Sequence, residues 1–373
     1  MIPDPAAVPE GQDAPERPRA GVPAGFPELP PIPAGRYTCE DFQQLERQGI
    51  WRKSWLYACH AEQVPEPGSF LAWDRTGSPI VIVRTNGGEV RAFYNSCRHR
   101  GGPLVQEPSG TLQGGFVCTF HGWSYDLEGR LRAVPDKANF TGLDTACLGL
   151  RTVRCGTLGN WVFLNEDPEA PPLTEALSPV AGHLQSWAVE HNRYVATRSF
   201  LVQCNFKLLL ENFFEVYHLG AVHARTVNRF LDHRRSRNFL WPGGHSMMLT
   251  PHRDAGWVDP GARGLPEFPA ATDLLRQNNV SYNLFPNLVT PVAPSGLPFL
   301  VAWPLGVGSA QLDVHWFAPP GSEPLDELWS QRLDNFDRIL GEDRTIVEHQ
   351  QRSAACEGFD GTRVGYQERR IYH

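Results

Sequence analysis

Two short stretches of this 373-residue chain each offer a thiol and an imidazole: Cys97-Arg98-His99 and Cys118-Thr119-Phe120-His121. Each follows an apolar run and is followed by glycine, Gly101-Gly102-Pro103 in the first case and Gly122-Trp123 in the second. Glycines there let backbone N–H groups come close to a bound group. Two thiolates with two neutral imidazoles are a donor set for a [2Fe–2S] cluster. Cysteines would hold one iron and histidines the other, which raises the potential above that of an all-cysteine cluster. A structural zinc uses the same residue types, but its spacing usually begins C-x2–4-C, not C-x-H. Two unrelated buried cysteines beside two core histidines are the other plain reading. The repeated Cys/His pairing beside glycine turns argues against it.

A second set of donors lies further on. Asn205 to His218 reads as one mostly apolar, buried helix into which Glu211, Glu215 and His218 are set, four and three residues apart and so on one face. Charged groups in an apolar helix call for a partner or a metal. His223 comes five residues after His218, and Gly220 between them is placed to end or kink the helix and let His223 swing back. Two converging imidazoles and one carboxylate from elsewhere would make a 2-His-1-carboxylate iron site with positions open for O2. An amphipathic helix with two satisfied histidines is the alternative, and H-x4-H alone would favour it.

The first stretch, CRHRGG…CTFHGWSYDLEGRL, resembles the Rieske motif C-x-H-x(n)-C-x2-H of the aromatic-ring-hydroxylating oxygenase family. Asn205–His223 resembles that family's N-W-K-x(n)-[ED]-N-x-x-[DE]-x-Y-H-x4-H motif, and the resemblance runs from about Arg36 to the end of the chain. It implies Cys97, His99, Cys118 and His121 as ligands of a Rieske [2Fe–2S] cluster, and His218 and His223 as ligands of a mononuclear Fe(II). It also implies a third ligand near the C-terminus, where Asp343 matches best and Glu342 is the rival. Glu215 would then bridge His218 to a cluster histidine, His121, of a neighbouring subunit, which makes a homotrimer the expected assembly and leaves a hexamer open. The chain departs from the pattern at three places. Thr119-Phe120 stands where the family often has Pro-Tyr, Phe206 replaces a Trp, and Glu215 replaces the Asp usual in aromatic-ring dioxygenases. That Glu is familiar from members that oxidise quaternary ammonium compounds.

The function implied is that of a terminal oxygenase component. It would use O2 and electrons from NAD(P)H, delivered by a separate reductase with or without a ferredoxin, to hydroxylate a small organic, aromatic substrate. A monooxygenase or demethylase acting on a quaternary ammonium, methoxy or methylamino compound is the alternative. A Rieske electron carrier without catalysis and a zinc-stabilised binding module are the rivals from other classes. The first would not need the second ligand set; the second would be colourless. No GxGxxG fingerprint is present, so the electrons should come from a partner.

The elements that must position these residues read as an α+β fold. A chain this long is expected to hold more than one core. We divide it into a Pro-rich segment 1–35, expected to be extended along the surface or partly disordered; a Rieske domain with a leading helix, 36–167; and a catalytic mononuclear iron domain, 168–373. A helix is expected from Thr38 to Trp55, with Thr38 and Asp41 as its N-terminal cap. The runs SFLAW, PIVIV, VRAFY, GFVCTF and NWVFL read as strands of a small antiparallel β domain, with turns at Thr85–Gly88 and Asp126–Gly129. A Pro-rich connector, Asp167 to Pro179, precedes a mixture of helices (His183–Asn192, Asn205–Leu219, about Leu325–Ala354) and strands (SYNLFPNLVT, LPFLVAWPLG, AQLDVHWFAP).

Hydrophobic residues make up 41% and charged residues 20%, with a net charge of −7. The balance gives no basic footprint for nucleic acid. No apolar run reaches the length of a membrane span. The N-terminus lacks the basic start and apolar core of a signal peptide, so the expected location is cytoplasmic. Of the eight cysteines, those outside the two pairs read as packed free thiols. His233-Arg234-Arg235-Ser236-Arg237 reads as a solvated surface patch, with contact to an anionic substrate or a redox partner as the alternative. Asn212, Phe213, Phe214, Val222, Phe285, Asn287, Leu288 and Trp303 are the residues from which a substrate pocket would draw.

Overall fold

The computed structural model describes residues 22–23, 25–185, 190–269, 271–322 and 327–373. Most of the Pro-rich segment, positions 186–189 of the helix expected from His183, and the first residues of the last expected helix lie outside the described residues. The chain divides into two compact units. One is Arg47–Glu175; the other joins the residues before Arg47 to Ala176–His373.

In the unit Arg47–Glu175, strands form an antiparallel seven-stranded sheet in the order Leu56–His60, Trp161–Asn165, Thr152–Leu158, Val90–Tyr94, Ile80–Arg84, Ser69–Trp73, Ser109–Thr111. The β-branched run Ile80-Val81-Ile82-Val83 is buried at every position, so this strand is covered on both faces rather than alternating. Both turns read from the sequence form. Gly88 takes φ +82° in the first, and in the second Gly129 takes φ +83° and donates to the Asp126 carbonyl at 3.0 Å. Beside the sheet lies a smaller one of Phe116–Val117, Ser124–Tyr125 and Leu131–Ala133.

The other unit is built on a second antiparallel sheet, in the order Arg193–Val202, Ser309–Ala318, Leu297–Gly306, Leu288–Val292, Asn278–Leu284, His245–Pro251, Arg237–Trp241. The helices Phe206–Phe214 and Glu327–Ala354 pack against each other, and the shorter one also packs on the sheet. In the long helix the buried residues include Trp329, Leu333, Leu340, Asp343, Val347 and Ala354. Steps of three, four and seven set these on one core-facing stripe, and a carboxylate stands within it. The unit Arg47–Glu175 is built of antiparallel sheet and the other joins antiparallel sheet to helices, the α+β class the sequence implied. Among the described residues, no helix is long and apolar enough to cross a membrane.

Three local expectations are corrected. The helix read as Thr38–Trp55 is two short helices, Gly35–Thr38 and Glu40–Glu46, followed by a wider turn Arg47–Trp51. Thr38 does not cap it: its hydroxyl donates back to the Ala34 carbonyl at 3.1 Å and closes the first turn. Near His183 the helix is Val180–Gln185. The segment from Asn205 is not one helix through His218. It runs only from Phe206 to Phe214, capped by Asn205 Oδ1 on the Lys207 N–H at 3.0 Å, and the backbone turns extended at Glu215 (φ −137°, ψ 171°). The Glu215 carboxylate accepts the backbone N–H groups of Tyr217 and His218, so it starts the separate turn Tyr217–Gly220 instead of continuing the helix.

Residues 36–46, assigned above to the first domain, cluster with the second unit for specific reasons. The Tyr37 hydroxyl donates to both oxygens of Glu211 at 3.0 and 3.1 Å, Glu46 pairs with Lys207 at 2.9 Å, and Ile32–Pro33 forms a two-stranded ladder with Gly361–Thr362.

Candidate metal centres

The loops carrying the two Cys/His pairs have the same backbone form. Gly101 donates to the Cys97 carbonyl and Gly122 to the Cys118 carbonyl, both at 2.9 Å, and each glycine sits at φ +73°, where a side chain would be strained. Cys97 N–H closes its loop on Gly102 O at 2.8 Å, and Cys118 N–H closes its own on Trp123 O at 2.9 Å. The loops therefore match around their cysteines, although one histidine is two residues on and the other three. Both thiols are buried. The imidazoles of His99 and His121 lie edge to face, centroids 4.5 Å apart. His99 stacks flat on Trp123 at 5.0 Å, and Phe140 meets it edge-on at 5.7 Å.

This arrangement suits a cluster. A Cβ at Gly102 would come within 3.1 Å of Cys118 Sγ, so the loops approach at that position as only glycine allows. His99 Nδ1 is buried with no hydrogen-bond partner among the described residues. Burial, with the charges of His121 and Arg100, holds the His99 imidazole below its ordinary value, which favours the neutral ring a metal needs. The Tyr125 hydroxyl lies 3.3 Å from Cys97 Sγ and accepts the Arg98 N–H at 3.0 Å.

In the other unit, one nitrogen each of His218 and His223 and one carboxylate oxygen of Asp343 lie within 4.8 Å of one another. Asp343 Oδ1 is 2.8 Å from His223 Nε2 and 3.7 Å from His218 Nε2. The far nitrogens are held separately. His218 Nδ1 meets Glu215 Oε1, and His223 Nδ1 meets Glu342 Oε2 at 2.6 Å. With Nδ1 protonated toward a carboxylate, each ring turns the lone pair of Nε2 toward Asp343. Burial pulls His223 down, but the hydrogen bonds and charges of Asp343 and Glu342 outweigh it and leave the ring above its ordinary value. Two imidazoles and a carboxylate so gathered fit a single divalent cation with open positions.

Several contributors were not read from the sequence. Glu342, considered only as a rival to Asp343, sits behind His223 and also accepts from the Thr226 hydroxyl at 2.8 Å. Asn212 donates to Asp343 Oδ1 at 2.9 Å. Glu211 points the other way, to Tyr37. Of the residues named for a pocket, Phe285 is exposed in a hairpin turn, and Asn287 spends its amide on the Ala302 carbonyl at 3.1 Å, bridging two strands. The nearest available signal was the stripe of the last helix, where Asp343 occupies a core position and Glu342 does not.

Comparison with known proteins places each stretch in a known domain. Residues 54–153 match the Rieske [2Fe–2S] domain, and residues 184–373 match the ring hydroxylating alpha subunit (catalytic domain). The large oxygenase component of the 2,4-dinitrotoluene dioxygenase system of Burkholderia sp. (strain RASC) is 34% identical over 58% of this chain and 48% of its own length. The glycine betaine monooxygenase oxygenase subunit of Pseudomonas aeruginosa (strain UCBPP-PA14) is 27% identical over 54% of this chain and 46% of its own. The chain thus spans about half the length of the curated relatives it matches. Among solved structures, the quaternary ammonium Rieske monooxygenase CntA in complex with L-carnitine superposes with a TM-score of 0.75 at 20% identity, over 93% of this chain and 97% of that one. Naphthalene 1,2-dioxygenase from Rhodococcus sp., bound to indole, gives 0.74 at 20% identity, over 90% and 85%. At that identity the superpositions speak to the fold. The catalytic-domain match covers just over half of the chain, and with a Rieske domain ahead of it the chain belongs to the ring-hydroxylating alpha subunit family of Rieske oxygenases.

Proposed function

We propose that the chain is the terminal oxygenase component of a multi-protein system, inserting oxygen from O2 into a small organic substrate. The observation that carries this reading is that one chain holds both donor sets: Cys97, His99, Cys118 and His121 on paired loops, and His218, His223 and Asp343 gathered within 4.8 Å. Cys97 and Cys118 would hold one iron of a Rieske cluster, His99 and His121 the other; His218, His223 and Asp343 would hold a mononuclear iron. When bound, the cluster supplies single electrons and the lone iron a place for O2 to be activated.

The chain's own groups set up that chemistry. Glu215 and Glu342 fix the orientation and tautomer of His218 and His223. The Asn212 amide steadies Asp343. With Cys97 bound as a thiolate, the Tyr125 hydroxyl 3.3 Å away would donate to it and stabilise negative charge on sulfur. Glu215 is also our candidate for the link to His121 of a neighbouring copy in a homotrimer. His121 is exposed, and so is Tyr217 beside Glu215, so both have surface to offer a second chain. The electrons would come from NAD(P)H through a separate reductase, with or without a ferredoxin.

An aromatic substrate is the first reading. Oxidation of a quaternary ammonium or methylamino compound is the second, favoured by Glu at position 215 where aromatic-ring dioxygenases mostly carry Asp.

The deciding measurement is iron and acid-labile sulfide on anaerobically purified protein, with a spectrum of the dithionite-reduced state. About three irons and two sulfides per chain support the two-centre reading. About two irons and two sulfides, unchanged by iron(II) reconstitution, would leave an electron carrier. Zinc without sulfide would overturn the assignment.

A further inference from the structure

Close to the ligand-bearing segment lies a cation that the two-centre chemistry does not use. Arg370 is 2% exposed. Its Nε donates to Ser246 Oγ at 3.0 Å, while its two terminal nitrogens reach only backbone carbonyls at long range, Phe214 O at 3.5 Å and Ser281 O at 3.4 Å. The guanidinium also faces the Phe214 ring at 5.7 Å. All its hydrogen-bond acceptors are neutral, and no carboxylate pairs with it among the described residues. Burial alone pushes it down, to about 9. A buried guanidinium without an anion costs several kcal/mol, which a fold does not keep without a return.

Its surroundings pack against the segment that carries Glu215 and His218. Ser246 pairs with Asn283, and Met248 with Ser281, across adjacent strands, so all four side chains share one face of the sheet. Met248 packs on Val216 and Leu219, in the segment that carries Glu215 and His218. Phe214 is the residue before Glu215. On the same face Asn283 is buried, and its Oδ1 has no hydrogen-bond partner among the described residues.

A separate observation has the same sign. The loop after His223 packs Val227, Phe230 and Leu231 against that cluster and exposes Arg225, Arg229, Arg234 and Arg235. Arg253 joins it through two hydrogen bonds to Asn228, at 2.9 and 3.1 Å. None of these five exposed arginines is in an ion pair among the described residues, in a chain whose net charge is −7.

We propose that the substrate of this site carries a carboxylate, that Arg370 binds it, and that the arginine rim draws it in. The inference rests on the oxygenase reading and adds a substrate class to it. A carboxylate takes two parallel N–H bonds from a guanidinium, so it would replace the two long carbonyl contacts with charge-assisted ones. Asn283 Oδ1 remains as an acceptor for a donor elsewhere on the substrate.

The test is thermal melting of the metal-loaded full chain against rising formate or benzoate, with benzamide as the uncharged match for benzoate. In the parent protein the midpoint should rise saturably with at least one of the carboxylates and not with benzamide. In Arg370→Met the half-saturating concentration should increase about 30-fold or more. Ser246→Asp places a carboxylate at the guanidinium within the fold; it should melt at or above the parent and lose the response, which covers the case in which Arg370→Met folds poorly. No saturable response in the parent, or one that survives in both variants, overturns the proposal. Iron and sulfide in the same samples report separately on the oxygenase reading. Correct metal content without a carboxylate response removes only this inference, whereas a response on a chain lacking the two centres removes the oxygenase reading and leaves an anion site.

Discussion

The carboxylate of Glu342 lies 2.6 Å from Nδ1 of His223, while Asp343, its neighbour in the same helix, lies 2.8 Å from Nε2 of the same ring. Two adjacent acids thus hold opposite edges of one imidazole. Only Asp343 also approaches the Nε2 of His218, at 3.7 Å. Asp343→Ala should therefore remove the mononuclear iron and spare the cluster's colour. Glu342→Gln should keep the iron but weaken its binding about 10- to 100-fold, as the loss of a group that orients a ligand does. Iron content after dialysis against a graded chelator separates the two. If Glu342→Gln empties the site and Asp343→Ala does not, the ligand assignment is reversed.

Glu215 holds the other imidazole, with one oxygen on His218 Nδ1 and the second on the backbone N–H groups of Tyr217 and His218. Glu215→Gln keeps the length and one acceptor oxygen but removes the charge. Both metals should stay bound while turnover coupled to substrate falls about 100-fold. Steady-state turnover per mononuclear iron is the readout, and a normal value would count against any role for the carboxylate beyond folding.

The Tyr125 hydroxyl lies 3.3 Å from Sγ of Cys97, a proposed cluster ligand. A donor to sulfur stabilises the more negative, reduced state, so Tyr125→Phe should lower the cluster's reduction potential. One neutral hydrogen bond of about 1 kcal/mol corresponds to ~40 mV for a one-electron couple. Spectroelectrochemical titration measures it directly. A potential unchanged or raised would mean that the hydroxyl serves only the Arg98 N–H.

What the sequence discloses and what it hides differ in kind. The paired loops of Cys97, His99, Cys118 and His121 were legible because short loops between strands keep candidate ligands and glycines within a few residues of each other. The strand Ile80–Arg84 and the turns at Gly88 and Gly129 were legible because local conformational preference decides them. Periodicity misled at Glu215. The spacing of Glu211, Glu215 and His218 fits a helical face, but a carboxylate that caps the next turn ends the helix before it, and spacing carries no sign of that choice. Glu342 and Asn212 were hidden for a different reason. Their partners, His223 and Asp343, lie 119 and 131 residues away, and only the packing of the last helix beside the segment that runs from Asn212 to His223 brings them together.

Glu211, one turn before the end of the short helix, is enclosed instead beside Tyr37. Burial pushes its carboxyl up to about 8, against the Tyr37 hydroxyl bond and the Lys207 charge, which pull it down. Lys207 is itself held below its ordinary value by burial and is paired with Glu46, which burial raises; Arg36 adds positive charge nearby. In the unfolded chain Glu211 would titrate near 4.5. Between that value and about 8 the native state binds more protons at this position than the unfolded state. The stability from Glu211 is therefore complete below the unfolded value and is lost as pH rises through the folded one, on the order of a few kcal/mol in all. Glu211→Gln imitates the protonated acid and should flatten the fall in melting midpoint between pH 5 and 8, by several degrees relative to the parent. Tyr37→Phe removes the bond that favours the carboxylate, so the loss should continue to higher pH. Parallel curves for parent and Glu211→Gln would show that Glu211 is ionised across the whole range, and that Lys207 compensates it fully inside the fold.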